Sequence, residues 1–134
     1  MDDQHTDPRL FSLDEAREMM PAVREAILDL QQEKNRLDKL RRELRKLTPA
    51  MRGNGHAREA QELEDDIHNQ IVTIRTGLES VGDAGVLVKD IDMGLVDFPS
   101  LRDGRVVYLC WIIDEPDIAY WHDVDAGFQG RRPL

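Results

Sequence analysis

Four polar side chains of mixed charge stand among the aromatic residues near the end of this chain: Asp97, Glu115, His122 and Arg131. Polar groups converging among apolar ones are what a small-molecule or metal pocket needs. Asp97 lies between Val96 and Phe98, just before Pro99. A carboxylate in an apolar extended segment requires a partner. As a functional group it is a general base or a metal ligand. As a structural one it is a buried cap, or an ion-pair partner for Arg131 or Arg105. His122 follows Trp121 and precedes Asp123. Strand alternation puts Tyr120 and His122 on one face and Trp121 on the other. A histidine edged by aromatics suits acid–base work near neutral pH; it serves equally to close a strand by donating to a backbone carbonyl.

Glu115 sits with Asp114 and Asp117 in an acidic turn around Pro116. With Asp97 and His122 it could offer oxygen and nitrogen donors to a divalent ion, against the plainer reading of a solvated turn. Asp90 and Asp92 open like a calcium loop but lack its later ligands. Arg131 and Arg132 follow Gly127 and Gly130. Arginines on such a segment clamp a carboxylate or phosphate, or tie the tail to the module's own acids. Cys110 lies inside an apolar run, where a thiol is ordinarily a small apolar side chain rather than a nucleophile. Tyr108, Trp111 and Trp121 join Arg131 as candidate ligand-binding side chains, with core packing as the alternative for the tryptophans. No recognised metal spacing, phosphate loop, nucleophile elbow or dinucleotide fingerprint is present, so the sequence calls for no metal and no cofactor.

Six of the seven aromatic residues fall in the last third of the chain, and the long middle has none. The chain thus divides into a flexible tail (residues 1–10), a helical hairpin (11–82) and a β module with an irregular C-terminal tail (83–134), together one domain. Ser12 and Glu15 form a capping-box pattern at the first helix. Apolar residues then recur at Ala16, Met20, Val23, Ile27, Leu30, Leu37 and Leu44; Leu40 and Leu47 shift the stripe's phase near Lys34. Pro21 predicts a kink over residues 17–21 or a separate first helix. Turn formers at Pro49, Gly53, Asn54 and Gly55 end the pattern. A second helix over 57–81 carries Ala60, Leu63, Ile67, Ile71, Ile74, Leu78 and Val81. The two narrow seams predict an antiparallel coiled-coil hairpin.

Residues 34–52 are mostly basic and residues 59–66 acidic. Folding about residue 52 predicts ion pairs Arg45–Glu59, Arg42–Glu62 and Lys39–Asp65, which orient more than they stabilise. Beyond Gly82–Gly85 the period changes. Val86–Val88 is a short strand, Leu95–Phe98 an extended segment stopped by Pro99, and Val106–Ile113 a central strand covered on both faces. Asp103–Gly104 is a hairpin signal, and Ile118–His122 an antiparallel return. The expected fold is α+β: a long helical hairpin, then a small antiparallel sheet of three to four strands at its base.

The words Gly94-Leu95-Val96-Asp97-Phe98-Pro99, Val107-Tyr108-Leu109-Cys110-Trp111, Tyr120-Trp121-His122 and Gly127-Phe128-Gln129-Gly130-Arg131, with the Phe11–Ala16 helix start, come in a distinctive order. In these the chain, from about residue 10 to 134, resembles the bacterial family called domain of unknown function 2203. The resemblance implies a small soluble bacterial protein and carries no catalytic residue with it.

A formal net charge of -9 argues against general nucleic-acid binding, because phosphates repel an acidic surface. One cysteine forbids an internal disulfide framework. The acidic start does not read as a signal peptide, and no apolar run spans a bilayer, which points to the cytoplasm. The leading functional expectation is an interaction or scaffold protein acting as a homodimer, since two narrow seams make an incomplete core. The alternative is a small-molecule or metal site, perhaps hydrolytic, in the aromatic module.

Overall fold

The computed structural model describes residues 9–134. Two long helices form a hairpin, and a five-stranded antiparallel sheet closes its base. Helix α1 (Leu13–Arg45) starts at Ser12, whose side chain accepts from Glu15 N while Glu15 returns the bond to Ser12 N. Pro21 lies within α1, which is not divided into a separate first helix. Pro21 and Arg17, whose carbonyl the proline leaves without its helical donor, are both exposed, so water can serve that carbonyl. Ala16, Met20, Val23 and Ile27, on either side of Pro21, are buried in one core.

Thr48 caps the single turn α2 (Pro49–Met51). A wider turn over Arg52–His56, with Gly55 at φ 102°, leads into α3 (Ala57–Asp83). None of the three cross-hairpin ion pairs expected from the charge pattern forms among the described residues. The one observed is Arg52–Glu64 at 3.9 Å, and Arg58–Glu62 lies within α3. The eleven residues between α1 and α3 set the register, and counting charges about residue 52 ignores how they coil. The polar link between the helices is Gln70, buried in the seam, whose Nε2 donates to the Glu33 carbonyl at 3.0 Å and to its carboxylate at 2.6 Å.

The sheet is a meander of β1 (Leu87–Asp90), β2 (Leu95–Arg102), β3 (Arg105–Ile112), β4 (Tyr120–Asp123) and β5 (Arg132–Pro133), in that spatial order. The expected three to four strands become five because Arg132 and Pro133, assigned to an irregular tail, pair with Trp121 and Tyr120. Asp103 and Gly104 turn β2 into β3 with φ 51° and 80°, the paired positive values of a two-residue hairpin. Pro99 does not stop β2. Its carbonyl accepts from Phe11 N at 2.7 Å, so the edge where its N–H would point faces away from β3, and no ladder bond is lost.

One sheet face carries Val96, Phe98, Val107, Leu109, Trp111 and Trp121 into a core shared with Ala16, Val23, Ile27 and Leu30 of α1 and Val81 of α3. Of the expected tail, residues 1–8 lie outside the described residues. Arg9 is tied down: its Nη1 donates to the Ala84 carbonyl at 3.2 Å. Among the described residues, no helix is long and apolar enough to cross a membrane.

Candidate metal centre

The other face of the sheet carries the polar cluster. Across the β2–β3 ladder Asp97 stands opposite Cys110, and across β3–β4 Tyr108 stands opposite His122. Side chains alternate along a strand, so Asp97, Cys110, Tyr108, Tyr120 and His122 all project away from the helices. Asp97 and His122 are each 2 % exposed and Cys110 is fully buried.

His122 Nε2 lies 3.1 and 3.2 Å from the two carboxylate oxygens of Asp97. Its Nδ1 lies 2.8 Å from the Asp123 carbonyl. A carbonyl only accepts, so Nδ1 carries a proton and donates to it. The strand-closing reading of His122 therefore holds, and its other ring nitrogen faces the Asp97 carboxylate. Tyr108 meets the imidazole edge to face at 5.5 Å. One ligand atom from each of Asp97, Cys110 and His122 lies within 4.8 Å of the others.

Burial decides the electrostatics. It pushes the Asp97 carboxyl above the usual carboxylate range, against the pull of His122 and Lys89. Burial, reinforced by the neighbouring Asp97 carboxylate, pushes the Cys110 thiol up to about 12. With no cation present the thiol is therefore no nucleophile at neutral pH. A divalent cation among the three groups would reverse this, by drawing the thiolate and carboxylate into their charged forms.

The four residues singled out from the sequence come together as two pairs flanking Cys110. The second pair is Arg131 with Glu115: Nη2 donates to both carboxylate oxygens, at 2.7 and 2.9 Å. Glu115 is no solvated turn residue. It also accepts from Ile112 N at 2.9 Å, and its carbonyl takes the indole N–H of Trp111 at 3.0 Å. Asp97 pairs with His122 and with neither arginine proposed for it; Arg105 pairs with Asp123 at 2.9 Å.

Two candidates leave the site. Trp111 points into the helix-facing core with the Arg24 guanidinium 5.0 Å from its ring. Trp121 faces the same way, with Arg102 at 4.6 Å and Arg132 at 5.2 Å. Tyr108 stays beside His122. Asp114 and Asp117 also lie apart; Asp117 bonds to Arg17 at 3.0 Å, which holds its carboxyl below the ordinary range.

The family described as uncharacterized conserved protein (DUF2203) matches over residues 9–134. The chain belongs to this family. No curated protein and no solved structure matches it. The match spans the hairpin and every residue of the polar cluster in this family member.

Cys110 is the residue that reading the sequence undervalued. A signal was available, because the Asp103–Gly104 turn fixes the β2–β3 register and Cys110 is as far after it as Asp97 is before it. Metal-ligand spacings known from helices and loops do not capture donors brought together across strands.

Proposed function

We propose that the sheet is a metal-binding module in which Asp97, Cys110 and His122 hold a divalent ion of the zinc class. The observation that carries this is the placement of His122, with Nδ1 against a backbone carbonyl and Nε2 against a buried carboxylate. With Nδ1–H spent on the Asp123 carbonyl, the Nε2 lone pair faces a carboxylate 3.1 Å away. Two electron-rich atoms at that distance require a positive charge between them, either a proton or a metal ion. The third donor favours the metal, since thiolate, imidazole and carboxylate together are a zinc donor set. A histidine whose second nitrogen bonds a backbone carbonyl is the usual outer support of such a site. Three protein ligands leave one tetrahedral position open, the arrangement in which zinc supplies hydroxide near neutral pH, so hydrolysis is the reaction class that suits it.

The test is zinc titration by calorimetry with metal analysis of the purified protein. One ion per chain is expected, with affinity reduced in Cys110→Ser and His122→Ala. Absence of stoichiometric binding, or unchanged affinity in both variants, would sink the reading.

A second reading concerns the arm: a coiled coil that pairs with a second copy as a homodimeric scaffold. The observation favouring it is an unfinished seam. In α3 only Ala60, Gln70 and Val81 are buried, while Leu63, Ile67, Ile71, Ile74 and Leu78 stay half-exposed. The exposed basic side chains Arg36, Lys39, Arg42 and Arg45 of α1 form no ion pair among the described residues, and the acidic run of α3 offers a second copy complementary charge. Sedimentation at low and high salt tests this, and a monomer under both conditions would remove it. The bacterial cytoplasm expected from the sequence belongs to the same proposal, since its reducing environment suits a thiol ligand.

A further inference from the structure

The guanidinium of Arg131 is packed and paired, but not completely. Its central carbon lies 4.1 Å from the Tyr120 ring centroid and 4.8 Å from that of Phe128. Both oxygens of Glu115 are taken up by the same nitrogen, Nη2. Nε is buried and unpartnered among the described residues. A buried guanidinium N–H without an acceptor is costly and calls for an explanation.

Its position supplies one. Arg132 pairs with Trp121 across β4 and β5, so the next step of the ladder brings Arg131 alongside His122, on the face of the polar cluster. Tyr120, under the guanidinium, stands opposite Cys110. The Cys110 thiol lies close enough to feel the charges of Arg131 and Glu115. Arg131 and Glu115 keep side-chain exposures of 14 % and 24 %, against 3 % for Asp97 and His122, which places the ion pair at the rim of the cluster.

Resting on the metal reading above, the geometry points to an oxyanion seat. A carboxylate or phosphate group places one oxygen on the open position of the ion and accepts from Arg131 Nε with another. Arginine suits this task because its N–H groups are fixed in a plane that matches such anions. Stacking on Tyr120 and the bond to Glu115 fix that plane before the anion arrives. Glu115 thereby becomes the residue that positions Arg131.

The experiment uses the full chain loaded with Co2+ as a visible reporter. The expected first result is a thiolate-to-cobalt absorption band with the visible bands of a four-coordinate ion. Inorganic phosphate and acetate are then titrated separately. At least one is expected to change the visible bands saturably, and the stronger of the two identifies the anion class. Arg131→Gln and Arg131→Lys are expected to keep the thiolate band and weaken the anion response by roughly tenfold to a hundredfold, the span of one charge-assisted hydrogen bond. No thiolate band overturns the metal reading, and this inference with it. A band that neither anion alters, or variants that respond like the parent, overturns the oxyanion seat alone. Should both variants fail to fold, the Arg131 Nε–H resonance of the zinc-loaded parent decides. It must shift as anion is added, and an unmoved resonance overturns the seat.

Discussion

Asp97 and Cys110 face each other across β2 and β3 at equal distance from the Asp103–Gly104 turn, and His122 reaches the same Asp97 carboxylate from β4. Three adjacent strands thus each contribute one donor, and the ladder itself sets their separation. Such a site is rigid, because shifting one donor means slipping a strand by two residues.

Zinc affinity is expected to fall as pH falls. The Cys110 thiol, pushed up to about 12 in the metal-free protein, must release its proton to the ion. Each displaced proton weakens binding by up to about tenfold per pH unit of acidification. Calorimetry in buffers of different ionisation enthalpy counts the released protons; a pH-independent affinity would contradict thiolate ligation.

Asp97→Ala leaves His122 Nε2 buried without a partner, and the expected cost is about 1–3 kcal/mol in urea unfolding of the metal-free protein. Asp97→Asn, whose amide can donate to that nitrogen, is expected to cost less. In the double variant Asp97→Ala/His122→Ala the costs should not add, since removing one partner already spoils the other. Additive losses would mean that the 3.1 Å contact carries no coupling.

Acid should loosen the junction between α1 and the sheet. Glu15 is held below its ordinary value of 4.5 by hydrogen bonds from Ser12. Asp117 is held below 3.8 first by Arg17 and then by Ile118 N–H. Both folded values lie below the unfolded ones, so the unfolded state binds more protons in that window. Their stabilisation is present above the unfolded pKa and is lost as pH falls through the folded one. Melting temperature followed downward from about pH 5 should drop less in a Ser12→Ala/Asp117→Asn protein than in the parent. Both groups are solvent-exposed, so the difference is small; parallel curves would refute the assignment.

Gly94→Ala should be among the most damaging single-methyl changes. Gly94 has φ 69°, and a Cβ there would lie 2.6 Å from Cγ1 of the buried Ile113. Its N–H and carbonyl are engaged by Ile91 and Ile113, so the backbone has no room to yield. Overpacking and the left-handed conformation together suggest a loss of about 2–4 kcal/mol. Gly53→Ala, with open space around its added methyl, is the control.

Local chemistry was legible in the sequence wherever neighbours decide it. The Ser12–Glu15 capping box, the Asp103–Gly104 turn, the two amphipathic helices and the shared face of Tyr120 and His122 each depend on a few adjacent residues. Pro99 inside β2 could not be read, because its tolerance depends on Phe11, which supplies a distant donor to its carbonyl. Nor could β5, two residues long, which exists only because β4 presents an edge to it. The hairpin ion pairs misled for a similar reason: a wide turn moves the register by an amount that charge counting does not contain. At the candidate site, the sequence singled out all four polar side chains but not their pairing, which depends on the order of strands.

Phe11 has one more consequence. Among the described residues, β1 covers β2 only from Leu95 to Asp97, and no other strand pairs with the remainder of that edge. Phe11 donates there to Pro99, accepts from the Ser100 hydroxyl and stacks edge-on against Phe98. A short stretch of chain ahead of the helix therefore acts as a guard against strand-to-strand aggregation. Variants that loosen it would be expected to clump before they unfold.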